Sequence, residues 1–357
     1  MALTLRKVRE IVKMMSKWLL GLLAVCFIAG CGGPSKPKLY VYTWADYIDP
    51  DLISKFEEAN GCSVVIDTFD SNETMFAKLM AGASGYDIIM PTEYVLSWLI
   101  NAGLLDKIDM EKLPAVKKNF DPKFTSEYAL SYDVPYAFSC TGILWRRDKV
   151  PADLTFQDWN DMFDPRLKGR VCMMNDIREV LGLALKMKGY SANSTSQREL
   201  DEAVAVAREW KSKCAKMDNE SYRTGIPSGE FYTAMSYNSD AIMLLAEDKD
   251  NIGYSVPTNG TTSSMDVFCI LKSSASKDLA HKFIDMFYEL DNAVKNAEFN
   301  GTPMPVLGLY DALSDEYKAI PFMQVTDELK AKCEDIKDVG DKLELYTKAW
   351  DRVKSNH

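Results

Sequence analysis

From residue 38 onward, short apolar runs alternate with stretches whose apolar positions fall three and four apart. Residues 39–43 and 63–69 read as strands, and 86–90 as a buried strand stopped by Pro91. Between them, 50–60 has helical spacing at Leu52, Ile53 and Phe56 and closes on Gly61. Residues 72–83 place Met75, Phe76, Leu79 and Met80 on one helical face, and 93–102 form the next helix. This strand–helix alternation predicts a parallel sheet with helices on both faces. In such sheets ligands bind beyond the carboxyl ends of the strands. The segments of interest are therefore Trp44-Ala45-Asp46-Tyr47, Asp70-Ser71-Asn72-Glu73 and Thr92-Glu93-Tyr94.

An apolar run over 134–145 opens a second unit. Its pattern predicts helices over 156–163, 179–187, 200–212, 240–246, 278–290 and 343–353, with strands over 169–174, 232–237 and 267–271. No internal repeat or low-complexity segment interrupts it. Two α/β lobes follow from the alternation.

The N-terminus obeys different rules. Arg6, Lys7, Arg9, Lys13 and Lys17 precede an apolar run over 18–28, too short for a membrane span and suited to a signal peptide over 1–30. Met14 and Met15 offer a second start just ahead of Lys17. Ile28-Ala29-Gly30-Cys31 looks like a bacterial lipobox, with Cys31 as the lipidated first residue; a signal cut elsewhere would leave Cys31 an ordinary thiol. Residues 31–37, rich in Gly, Pro and Lys, read as a tether. The expected location is the periplasm, with the lipid on Cys31 as the single membrane contact.

Composition narrows the chemistry. Hydrophobic residues are 47% and charged residues 26% of 357, within the globular range. His281 and His357 are the whole histidine complement, which argues against His-based metal sites and Ser-His or Cys-His catalysis. Beyond residue 30 the chain holds 37 bases against 51 acids, a balance that repels nucleic acid and anionic lipid and favours cationic partners. Cys62, Cys140, Cys172, Cys214, Cys269 and Cys333 are scattered without a C-x-x-C and read mainly as buried small hydrophobes. Phosphate-loop, dinucleotide, zinc-protease and serine-elbow motifs are absent. Paired carboxylates are abundant, so a two-acid glycosidase stays open on composition.

Acids and aromatic rings gather at the expected strand ends. Trp44, Asp46 and Tyr47 follow the first strand, Thr92 and Tyr94 the third, and Asp176 and Glu179 the strand ending near 174. Tyr237 and Asp240 end the strand beginning at Tyr232, and Asp266 precedes the run at 267. Asp176 with Glu179 also fits a capping box, which leaves both without a ligand role. An organic ammonium needs this combination, since carboxylates replace its hydration and π faces attract cations.

Tyr42-Thr43-Trp44-Ala45-Asp46-Tyr47-Ile48, Asp70-Ser71-Asn72-Glu73, Asp176-Ile177-Arg178-Glu179-Val180, Met265-Asp266-Val267-Phe268 and Thr347-Lys348-Ala349-Trp350 together carry a resemblance. The chain beyond the tether resembles the spermidine/putrescine-binding periplasmic proteins of bacterial ABC importers along essentially its whole length. That resemblance implies a two-lobed periplasmic-binding-protein fold of type II, each lobe a mixed sheet flanked by helices, closing on a polyamine and delivering it to a permease. It implies aromatic walls at Trp44 and Tyr47, an ammonium acceptor at Asp46, a small hydroxyl at Thr92 and a ring at Tyr94. Asp176 and Glu179 match acids of the second lobe, Asp240 an acid of the putrescine branch, and Asp266 the acid gripping an amine from the hinge side. Tyr237 stands where the family usually has Trp, Ser264 where it has a large aromatic, and Thr302 where spermidine binders tend to have Tyr. A roomier or wetter pocket on that side, taking both putrescine and spermidine, is the expectation.

Lobe one is expected over 38–142 plus 265–310, and lobe two over 143–264 plus 311–357. The hinge is expected where strands cross near 138–143 and 262–265. No catalytic step, metal or cofactor is called for. The rivals are the same fold binding another small cationic ligand, an enzyme acting on an amine-bearing substrate, and an adhesive surface lipoprotein.

Overall fold

Local signals suffice for the first helix. Asp49 accepts the Asp51 amide, Pro50 takes the opening position, and Gly61 closes the helix Pro50–Asn60 in the left-handed region at φ 59°. The computed structural model describes residues 36–125 and 128–355. The expected signal over 1–30 and Cys31 lie outside the described residues. Among those described, no helix is long and apolar enough to cross a membrane.

The described residues form ten strands: β1 (Lys38–Thr43), β2 (Ser63–Thr68), β3 (Ile88–Ile89), β4 (Val134–Arg146), β5 (Val171–Met173), β6 (Lys216–Met217), β7 (Thr233–Tyr237), β8 (Ile252–Ser255), β9 (Thr261–Ile270) and β10 (Cys333–Asp335). They pair in the order β2-β1-β3-β9-β4-β7-β5-β6, with β10 beside β9 and β8 beside β4. The purely parallel pattern predicted from the first strands holds for β2-β1-β3 and again for β7-β5-β6. It fails at the centre, where β9 runs antiparallel to β3 and β4, and β4 antiparallel to β7 and β8. The two lobes therefore carry mixed sheets flanked by helices, joined through long strands.

The exchange of partners along β4 is abrupt. Up to Cys140, opposite Ser263, it pairs with β9; from Thr141, opposite Tyr237, it pairs with β7. A backbone that changes sheet partners between adjacent residues can turn there with little loss of pairing. β9 begins six residues before the apolar run that signalled it, because Thr261, Thr262 and Ser263 are buried in spite of their polarity. The helix expected over 278–290 is instead two, Lys277–Met286 and Leu290–Asn300, and that over 156–163 contracts to Trp159–Met162.

Apolar burial, the dominant favourable term in folding, is concentrated in two clusters. One surrounds Leu39, Val41, Ile88, Tyr136, Phe268, Phe283 and Phe287; it also takes in Tyr222, Ile226 and Ile242 from the segment expected in lobe two. The other joins Trp159, Phe163, Val171, Leu181, Leu200, Trp210 and Tyr346, with Phe163 and Trp210 stacked at 4.9 Å. Tyr346 lies on the closing helix Leu343–Lys354, which packs on Ile177–Met187 and Gln197–Lys213. Cys62, Cys140, Cys172 and Cys269 are buried, and Cys214 and Cys333 half-buried.

Candidate functional site

Trp44, Asp46, Tyr47, Thr92, Tyr94, Asp176, Glu179, Tyr237, Asp240 and Asp266 all line one cavity of about 590 Å³. Ser264 and Thr302 line it too, so the two positions lacking a large ring face this space. The strand ends bring them there. Trp44 to Tyr47 follow β1, Thr92 forms an antiparallel bridge with Asp266 on β9, and Tyr237 ends β7. Asp46 takes φ 54°, a left-handed conformation that aspartate tolerates better than most residues.

Both oxygens of Asp266 are held by hydroxyls. Tyr47 Oη donates to its Oδ2 at 2.5 Å and Thr92 Oγ1 to its Oδ1 at 2.7 Å. Thr92 is itself fixed by Asn72, which donates to Thr92 Oγ1 at 3.0 Å and to Tyr94 Oη at 3.2 Å and accepts from the Thr92 amide at 3.1 Å. Burial pushes the Asp266 carboxyl up to about 6, against the pull of those two hydroxyl donors. The Tyr47 carbonyl is anchored from behind by Tyr136 Oη at 2.6 Å and Asn300 Nδ2 at 2.9 Å.

Asp176 caps the helix Ile177–Met187, its Oδ1 accepting the Arg178 amide at 2.8 Å and the Glu179 amide at 2.9 Å. The reciprocal half of the capping box is replaced: Glu179 Oε2 accepts from Thr141 Oγ1 at 2.8 Å and from Thr262 Oγ1. Glu179 is thereby tied to both crossing strands. Burial, with the neighbouring Asp176 charge second, pushes Glu179 up to about 7. Asp176 is raised by burial, and Asp240 likewise, against the pull of Arg223 and the Tyr222 hydroxyl.

Sequence reasoning missed Arg223 in this wall and used Asn72 only as part of a motif. Asn72 had a signal, its place directly after the second strand. Arg223 had none, because a base runs against the chemistry argued for the site. Among the described residues, no group of three or more His, Cys, Asp or Glu is placed to hold a metal ion.

Such a cavity combines carboxylates, hydroxyls and rings, groups suited to holding a cation. The family model for bacterial extracellular solute-binding proteins matches residues 51–324. The chain belongs to that family. Among its curated relatives, the putrescine/cadaverine-binding protein of Pseudomonas aeruginosa is 31% identical over 93% of this chain and 98% of its own length. The solute-binding fold is likewise that of a Treponema pallidum lipoprotein, 31% identical with TM-score 0.79 over 88% of this chain and 99% of that one. A spermidine/putrescine ABC transporter substrate-binding protein from Streptococcus pneumoniae is 28% identical with TM-score 0.75, covering 89% and 100%. In this solute-binding protein the cavity lies where strand ends converge, as the α/β rule requires.

Proposed function

We propose that this protein is an extracytoplasmic polyamine receptor that closes on putrescine or spermidine and hands it to the permease of an ABC importer. The observation that carries this is Asp266. A buried carboxylate whose two oxygens accept from hydroxyls, with no ion-paired base among the described residues, is preset for a ligand's ammonium. Relatives named for putrescine, cadaverine and spermidine binding support the same ligand class. Trp44, Tyr47, Tyr94 and Tyr237 supply π faces, and Asp46, Asp176, Glu179 and Asp240 the remaining charge.

Closure brings lobe one, 38–142 plus 265–310, against lobe two, 143–264 plus 311–357. The hinge lies at 138–143 and 262–265, around the partner exchange at Cys140 and Thr141. A ligand shifts such an equilibrium only through contacts it makes better in one state. Cys31 carries the lipid that holds the mature chain at the membrane, and no bond of the ligand is made or broken.

Calorimetric and thermal-shift titration tests the reading. Putrescine or spermidine raises the melting temperature with concentration, as linkage demands, whereas 1,4-butanediol, of the same length without charge, does not. Equal stabilisation by the diol would refute the carboxylate argument. For the anchor, labelled palmitate enters the wild type and not Cys31→Ala.

A further inference from the structure

The acids around the cavity are not equally available. Among the described residues, Asp46 and Asp240 are the cavity acids paired with a base, and the base for both is Arg223. Its Nη1 lies 3.4 Å from Asp46 Oδ2 and its Nε 3.4 Å from Asp240 Oδ1. Arg223 and Asp240 come from the helices Tyr222–Ser228 and Asn238–Asp248, whereas Asp46 follows β1, so the guanidinium spans the cavity from one lobe to the other.

The other acids argued for the site have different neighbours. Asp176 and Glu179 feel the positive charge of Arg178, whereas Asp240 feels Arg223, Glu220 and Asp46. Asp266 is hydrogen-bonded to Tyr47 and Thr92 and, among the described residues, makes no ion pair with either base. The Arg178 guanidinium is committed elsewhere, to the Lys337 carbonyl at 2.9 Å and Asn193 Oδ1 at 2.8 Å. Of the acids argued for the site, Asp266 and the Asp176–Glu179 pair have no ion-paired base among the described residues, and the Asp46–Asp240 end is occupied by the chain's own cation; Asp70, Glu220 and Glu247 line the cavity as well.

We infer that Arg223 is a specificity-determining residue: an internal cation that occupies the Asp46–Asp240 end and so favours a diamine over longer polyamines. This deepens the polyamine reading and rests on it. A diamine satisfies the two open places and leaves Arg223 seated. A triamine has a third ammonium, which must either displace the guanidinium or lie beside it, and like charges at close range repel. The displacement is feasible from the Asp46 side, where the ion pair is long and wet: the Asp46 side chain is 71% exposed and that of Arg223 40%, whereas the Asp240 side chain is 20% exposed. Selectivity here comes from a repulsive element against the longer ligand as much as from attraction to the shorter one.

The test is calorimetric titration of wild type, Arg223→Gln and Arg223→Lys with putrescine and with spermidine. Wild type binds putrescine more tightly, and Arg223→Gln shifts the spermidine-to-putrescine affinity ratio at least tenfold toward spermidine. Arg223→Lys, which keeps the charge, stays within threefold of the wild-type ratio. A purely structural Arg223 would change both ligands by the same factor in Arg223→Gln, and that outcome overturns the assignment. So does a wild type that already prefers spermidine. A wild type that binds neither amine sinks the polyamine reading itself, a result distinct from an unchanged ratio in a protein that binds.

Discussion

Tyr47 Oη and Asp266 Oδ2 lie 2.5 Å apart across 219 residues of chain, which joins the loop after β1 to the middle of β9. This bond decides the orientation of both groups. The ring is turned edge-on against Tyr136 at 5.1 Å, and the carboxylate is held against the cavity wall with Thr92 on its other oxygen.

Asp266→Asn keeps the shape and removes one charge facing a desolvated ammonium. Loss of such a partner costs roughly 2–5 kcal/mol, which is about 30- to 4000-fold in Kd. Asp311→Asn, at an exposed position remote from the cavity, leaves Kd within about twofold. Titration with putrescine decides; near wild-type affinity in Asp266→Asn takes this acid out of the site.

Affinity falls on acidification. Asp266 and Glu179, pushed up to about 6 and about 7, hold protons at pH 5 in the ligand-free protein and must release them to face an ammonium. Tyr47 and Thr92 face Asp266 from the ends of β1 and β3; Thr141, Thr262, Asp176 and Arg178 face Glu179. Each group weakens binding roughly tenfold per pH unit below its folded value. Titrations at pH 5, 6 and 8 in buffers of different ionisation heat read both the affinity and the released protons. Affinity independent of pH over that range counts against ionised Asp266 and Glu179 as ligands.

Ligand-free stability has the opposite sign. The Asp266 carboxyl is raised above its ordinary 3.8 by burial, so between about pH 4 and pH 6 the folded state holds a proton that the unfolded state has lost. Its contribution is most favourable at the acid end of that window, declines as pH rises through it, and is constant above. Urea unfolding of wild type minus that of Asp266→Asn, measured across pH 4–8, isolates this slope. A difference that grows with pH would contradict a buried, protonatable Asp266.

Ser264→Trp puts a ring into the open wall beside Asp266. A cation–π face is worth about 0.5–2 kcal/mol, so at least one polyamine binds about 2- to 30-fold tighter. Weaker binding of both amines would mean that the space is needed by the ligand itself.

Gly142→Ala probes the crossing region rather than the site. A Cβ there would meet the Tyr254 ring and the Ser255 carbonyl at 2.5 and 2.6 Å, and the latter, being backbone, cannot swing aside. Overpacking of this kind costs about 1–3 kcal/mol, read as a lower urea midpoint. An unchanged midpoint would mean that β4 and β8 separate freely at this point.

Much of the local structure was legible because its causes are local. Asp49, Pro50 and Gly61 delimit a helix by themselves, and Ser71 caps the next by accepting the Thr74 amide. The segment Leu290–Asn300 shows the limit. Its buried side mixes Asn292, Asn296 and Asn300, spaced four apart, with the small Ala293 and Ala297, so the apolar signal was weak. Those amides are buried because partners arrive from far away: Asn296 accepts the Asp49 amide and donates to Tyr136 Oη, and Asn300 donates to the Tyr47 carbonyl.

The sequence by itself determined which residue types stand at strand ends, since alternation of apolar runs locates those ends and the side chains there are free to be acids and rings. It thereby determined that Asp266, Tyr47, Glu179 and Asp240 face a common region. Only the tertiary structure decided which acids remain unpaired. Asp46 and Asp240 share one base, Arg223, and Glu179 is bound to hydroxyls on two crossing strands, whereas Asp266 has no ion-paired base among the described residues. Charge pairing falls off over a few ångströms and depends on which side chains the fold brings within reach, and a linear sequence carries no such distances.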